Sequence, residues 1–326
     1  MVKFVLFSFF IFTLSAAGQE NRRFSIDEAV AVAMANNPVA RNAALEVQKD
    51  AMMWRGAVLQ SRQAERSLTL HEFTWQVKAA YFDVVYFGQR LQTMREHAHY
   101  FEALISLAEI RLFSDSITDL VKVSTGARYA SYLRRMYIAE EELIRARIRL
   151  GQLMCIPDVK IGINQTELQL YQIHPDKPFN ERFDPVAHKL FYAAQIAEAE
   201  SNRYQGGLMG LSILRAQRTH RKKADIDANM KINEVEHRQF IDHQHIEILK
   251  SLLNEYYVQI SFSKENMLIE AKLVLEEIVN DFSAERISCY AEAFTRVSEA
   301  VYAKLEHLEY ILLYNRTALE LEYFTH

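Results

Sequence analysis

Glycine and proline are scarce in this chain of 326 residues: it has nine glycines and five prolines. Neither residue occurs from Leu211 to His326, and no proline falls between Val77 and Cys155. A fold dominated by strands and tight turns draws on both residues and is excluded. The two cysteines, Cys155 and Cys289, are too few and too far apart for a disulfide framework or a metal or redox motif. They are expected as two free, buried thiols. Charge of one sign is also missing: the formal net charge of -4 gives no overall electrostatic case for nucleic acid. Beyond the N-terminus no segment is apolar all round for long enough to form a transmembrane helix. There is no nucleophile elbow, phosphate loop or zinc-protease motif. No enzymatic activity, cofactor or bound metal is therefore expected.

Half the residues are hydrophobic and a quarter charged, the composition of a folding chain. Lys3, the apolar run Phe4 to Leu14 and the small residues Ser15-Ala16-Ala17 read as a secretory signal over residues 1–18. Ser25 to Glu28 form a capping box. The helix it opens is broken at Asn36-Asn37-Pro38, and a second runs from Pro38 to about Trp54. Arg55 to Leu68 read as polar and irregular. Thr69 to Glu72 read as another capping box, opening a long helix.

That helix has a seam at Leu91, Met94, Ala98, Phe101, Ile105, Ala108 and Leu112. Alternating steps of three and four are heptad spacing, which implies side-by-side helices. Ser114 to Ser116 make a tip. The return seam is Tyr129, Tyr132, Met136, Ala139, Leu143, Ala146, Leu150 and Leu153. Residues 157–183 hold three of the five prolines and read as a linker. Asp184-Pro185 opens a helix that ends before Gly206-Gly207. Leu208 to Leu214 read as one possible strand. Leu268, Ala271, Leu275, Ile278 and Phe282 then form an outgoing seam, Ser283 to Glu285 a second tip, and Val301, Leu305, Leu308 and Leu312 a return. The fold class is mainly α, built from duplicated long antiparallel helical hairpins with strands reduced or absent. The first repeat covers 24–156 and the second 184–326.

In their order, several segments resemble the TolC-like outer-membrane efflux proteins, especially those serving heavy-metal pumps of the RND type. They are Phe24 to Val30 with Asn36-Asn37-Pro38, Ala80 to Tyr86, Arg145 to Leu150 with Leu153, and Tyr314-Asn315 with Leu319 to Tyr323. The resemblance implies a homotrimer forming a helical tube through the periplasm, continued by a β-barrel through the outer membrane. It implies a passive conduit for cations or small toxic compounds, with a periplasmic adaptor and an inner-membrane RND pump as partners. Two departures stand out. Two bilayer-spanning strands and a turn need about 20 residues or more, and Arg55 to Leu68 is shorter and lacks the required alternation. At the hairpin tips, Asp115 and Glu285 or its neighbour stand where the family usually has glycine. The runner-up reading is a periplasmic structural or adaptor-like helical protein without a pore.

Within that resemblance Asp115, Asp119, Asp281, Glu285 and Arg286 mark a periplasmic gate or adaptor contact. The four acids would form rings that attract cations in a trimer, or simply sit as solvated helix ends. Arg215, Arg218, His220, Arg221, Lys222 and Lys223 make the only basic cluster, either a solvated helix face or a contact for lipid phosphates at the membrane edge. His243 and His245 lie two positions apart on a helix and point to nearly opposite sides, as do His97 and His99, so neither pair is expected to chelate a metal.

Overall fold

The computed structural model describes residues 22–53, 57–113, 119–156, 161–163, 167–172, 192–193, 195–196, 211–283 and 289–325. In chain order these form β1 (Arg22–Phe24), α1 (Ile26–Asn36), α2 (Pro38–Met53), α3 (Ala57–Phe113), α4 (Asp119–Met154), β2 (Ile161–Ile163), α5 (Leu211–Phe262), a π-helical turn (Ser263–Met267), α6 (Leu268–Ser283) and α7 (Tyr290–Thr325). The fold is mainly α-helical. The only strands among the described residues are β1 and β2, paired in parallel with Phe24 opposite Ile163.

Two antiparallel hairpins result. Arg90 meets Glu142 and Tyr129 meets Glu102, so α4 runs back along α3. His245 meets Glu320 and Glu277 meets Arg296, so α7 runs back along α5 and α6. At 1.5 Å per residue α3 is roughly 85 Å long, and α5 through α6 roughly 110 Å. The hairpins join through their inner members: Asp83 of α3 contacts Arg316 of α7, and Phe101 contacts Phe294. The lateral order is α4, α3, α7, then α5–α6, with α4 and α5–α6 at the two edges.

The expected seams are where the helices meet. Leu91, Met94, Phe101 and Ala108 are buried on α3, and Tyr132, Ala139, Leu143, Ala146 and Leu150 on α4. Ala271, Leu275 and Ile278 are buried on α6, and Val301, Leu308 and Leu312 on α7. Burying a large apolar side chain contributes about 1.5–3 kcal/mol, so the seams supply the packing that such long helices need.

Several sequence expectations are corrected. Arg55 to Leu68 is not irregular: from Ala57 it is already α3. Its Ala, Leu, Gln, Arg and Glu are strong helix formers, and Arg66 pairs with Glu46 of α2 at 2.5 Å. Thr69 is therefore no cap but a mid-helix residue whose hydroxyl donates to the Glu65 carbonyl at 3.1 Å. The possible strand at Leu208 to Leu214 is helical from Leu211 onward. The cysteines are free, as expected, but both are exposed. The segment read as a linker contains β2, and its residues 168–171 lie against α3 and α7.

The C-terminus of α4 shows why Cys155 is exposed. A helix leaves its last four carbonyls unpaired. Here Gly151 O accepts from Ile156 N at 2.9 Å and Gln152 O from Cys155 N at 3.3 Å, a Schellman arrangement. Leu153 O and Met154 O accept from the side-chain amides of Asn37 and Asn36 at 2.9 and 3.3 Å. Asn37 also accepts from Val39 N at 2.9 Å and so caps α2. The Asn36-Asn37-Pro38 break is thus a clamp between the α1–α2 junction and the C-terminus of α4. Cys155 holds the left-handed position with φ 52°, where a β-carbon is unfavourable by about 1 kcal/mol. We expect Cys155→Gly to stabilise the chain by about 1 kcal/mol in denaturant titration; a loss of stability would count against strain at this cap.

Candidate functional site

The segments that carried the family resemblance converge in space. Asp83, a lone acid in the apolar run Tyr81 to Tyr86, is buried. Its carboxylate accepts from Arg316 of α7 at 2.5 Å and lies 4.0 Å from Arg149 of α4. One buried charge so ties three long helices, and the two arginines offset its loss of hydration. Tyr81 donates to the Phe24 carbonyl at 3.2 Å, tying α3 to β1.

Asn315 is fully buried on α7. Its Oδ1 accepts from Tyr171 N at 2.7 Å and its Nδ2 donates to Gln169 O at 2.8 Å. Gln89 accepts from Leu168 N at 2.7 Å. Residues 168–171 are thus strapped across α3 and α7 by side-chain amides. One step along, Lys78 donates to both oxygens of Glu322 at 3.0 and 2.8 Å, and Tyr171 donates to Glu322 at 2.7 Å. Burial first, and then the Glu322 carboxylate, push the Tyr171 hydroxyl well above its ordinary range. Tyr171 therefore remains a donor. His71, Thr74, Trp75, Lys78, Leu319, Glu322 and Tyr323 line a shallow cavity of about 160 Å³ beside this cluster.

A second polar group lies farther along the same helix pair. His97 is buried on α3. Its Nδ1 donates to Thr93 O at 2.6 Å, and its Nε2 faces Lys304 Nζ of α7 at 2.7 Å. One turn on, His307 Nδ1 meets Ser263 Oγ at 2.7 Å, and Ser263 opens the π turn. Burial pushes the His97 and His307 imidazoles below their ordinary range, and the Lys304 ammonium likewise.

The residues singled out from sequence for a gate or membrane contact are distributed differently. Asp119 opens α4 and is exposed; Asp281 lies half-buried in the last turns of α6. Asp115, Glu285 and Arg286 lie outside the described residues. Arg215, Arg218, His220, Arg221, Lys222 and Lys223 all fall on α5, with Lys222 and Lys223 exposed. Sequence reasoning missed Lys78, Tyr171, Lys304 and Ser263 as partners. A signal existed for some: charged or amide residues interrupting apolar helix faces, as Asp83 and Asn315 do.

The edges of the four-helix wall carry a further feature. On α4, Val123, Ala130, Tyr137 and Ile144 recur at seven-residue intervals, all exposed and away from the buried seam. On α5, Ile241, Ile248 and Phe262 are exposed on one seven-residue register, whose remaining member is the exposed Glu255. Each edge helix therefore carries a second set of exposed apolar residues with no neighbour among the described residues.

No protein-family model and no curated protein matches the sequence. Solved structures do match. The chain superposes on the transmembrane channel protein CusC with a TM-score of 0.71 at 13% identity, covering 91% of this chain and 90% of that one. A membrane protein from Pseudomonas aeruginosa gives 0.77 at 9% identity, over 92% of this chain and 90% of that one. The MtrE outer-membrane channel of Neisseria gonorrhoeae in its open state gives 0.72 at 10% identity, over 92% and 88%. At these identities the shared property is the fold, a TolC-like arrangement of long helical hairpins.

Proposed function

We propose that this chain is a noncatalytic subunit of an envelope conduit, the outer-membrane component of a tripartite efflux system. Three copies form a helical tube, and a periplasmic adaptor and an inner-membrane RND pump supply its cargo of cations or small toxic compounds. The observation that carries this reading is the pair of uncovered heptad stripes on opposite edges of the wall. A helix inside a tube wall needs two seams, one for each lateral neighbour. Among the described residues of one copy, α4 and α5 each have one seam filled and one bare. Joining the α4 edge of one copy to the α5–α6 edge of the next is a head-to-tail contact, which closes into a ring when the rotation permits. Three copies, the number the resemblance implies, close the tube. The hairpin tips with Asp119 and Asp281 then gather at one end of the tube, where charged rings filter ions.

A specific observation favours the second reading, a periplasmic structural or adaptor-like protein without a pore. Ala57 to Leu68 and Leu211 onward are helical where the related fold places bilayer-crossing strands.

Fractionation and native mass measurement test both. A conduit subunit requires detergent, runs as a trimer and gives discrete conductance steps in planar bilayers. A strut is released with the soluble periplasm and gives none. Replacing Tyr137 and Ile144 together by glutamate is expected to reduce the trimer to monomers with helical content unchanged, because both side chains are exposed in the single copy. A double variant that remains trimeric would remove the α4 stripe from the assembly.

A further inference from the structure

We propose that the His97–Lys304 contact is a pH-sensitive latch between the two hairpins, closed near neutrality and released by mild acid. The inference is independent of the conduit reading, because it concerns how α3 and α7 of one chain are held together.

The geometry fixes the protons. Thr93 O can only accept, so His97 Nδ1 carries a hydrogen. An ammonium has only donors, so His97 Nε2 is the acceptor of the bond from Lys304 Nζ. The pair is therefore one neutral imidazole and one ammonium, sharing a single positive charge. A second proton on the pair sets two cationic donors 2.7 Å apart with no acceptor between them. At that distance in a partly buried position, like charges oppose strongly and the contact cannot persist.

The surroundings do not absorb the extra charge. On α3, Glu96 is a carboxylate that favours the charged form of both members, while His99 opposes it at His97. Glu96 is exposed, so its influence is screened by water. On the other flank of α7, His307 faces Ser263 and Lys264 of the π turn. Ser263 donates to Ile260 O at 3.0 Å, leaving its oxygen to accept from His307 Nδ1. Protonation of His307 keeps that bond but adds a cation near Lys264. Acid thus weakens α7 toward α3 and adds charge toward the π turn, a type of element frequently found at functional sites.

The direction in pH follows. Both imidazoles are held below their ordinary value of about 6.5 in the folded chain. The unfolded or unlatched form takes up protons first as pH falls. The contribution of the closed latch is fully present above about 6.5 and declines as pH drops through and below it.

Spin labels at the exposed positions 103 on α3 and 299 on α7 test this in the full chain, carrying Cys155→Gly and Cys289→Ser and diluted with unlabelled protein. Between about pH 7.5 and about pH 5, the label distance is expected to lengthen and broaden, by about 2 Å or more. Lys304→Met removes the second charge and His97→Gln removes the titrating ring while keeping an acceptor for Lys304. Each is expected to abolish the change. An unchanged distance in the parent, or the same lengthening in both variants, would overturn the latch.

Discussion

Phe101→Ala is expected to cost about 3–5 kcal/mol, the largest loss from any single truncation in the long hairpins. Phe101 is completely buried on α3. Its ring lies 4.2 Å from that of Tyr132 on α4 and 4.6 Å from that of Phe294 on α7, both tilted. It therefore belongs to the seam within the first hairpin and also to the seam between hairpins. Removing it forfeits the transfer free energy of a large side chain and leaves a void. The void cannot close easily, because three long helices border it and Tyr132 is pinned by its hydroxyl bond to Met94 O at 2.6 Å. Denaturant titration reads the loss. Phe101→Leu retains much of the volume and is expected to lose far less. Equal losses for the two, or a loss under about 1 kcal/mol for alanine, would mean that the junction packs more loosely than these distances indicate.

Asn315→Ala and Asn315→Leu are each expected to cost about 2–4 kcal/mol, from the two backbone groups left unpaired. Leucine restores volume but neither hydrogen bond, so similar losses identify the bonds as the cause. If leucine were as stable as the parent, packing would be the cause instead. The amide accepts from Tyr171 N and donates to Gln169 O, a pattern matched only by a side chain with both functions. Asn315→Asp is expected to fail as well, because a carboxylate facing the Gln169 carbonyl has no hydrogen to give. Limited proteolysis adds a local readout: cleavage near residues 168–172 should rise in all three variants before the long helices are cut. The strap holds Tyr171 against Glu322 and Lys78, so its release also disconnects that cluster.

The long hairpins were legible because heptad spacing is a local property: Leu91, Met94 and Phe101 report a seam whatever they meet. Capping was legible at Ser25, whose reciprocal bonds with Glu28 form as read. It was misread at Thr69, where the same four-residue signature lies within a helix already under way from Ala57. The signature cannot tell a first turn from a middle one; the preceding helix formers and the Arg66–Glu46 pair settle that. Cys155 was misread because a small apolar residue is usually buried, whereas its position here is set by a left-handed cap.

The sequence by itself determined the helical class, the hairpin seams and the scarcity of strands, because helix formers, apolar periodicity and the lack of glycine and proline act over a few turns. Tertiary structure alone decided which polar residues are partners. Asp83 with Arg316, Asn315 with the strap at 169–171, and His97 with Lys304 are each more than 140 positions apart in the chain. No local pattern encodes such pairings; they arise because α7 returns beside α3 and places isolated polar groups where water cannot serve them. The bare stripes on α4 and α5 became visible for the same reason. Only after the inner seams are filled is it clear which apolar residues have no neighbour among the described residues of their own chain.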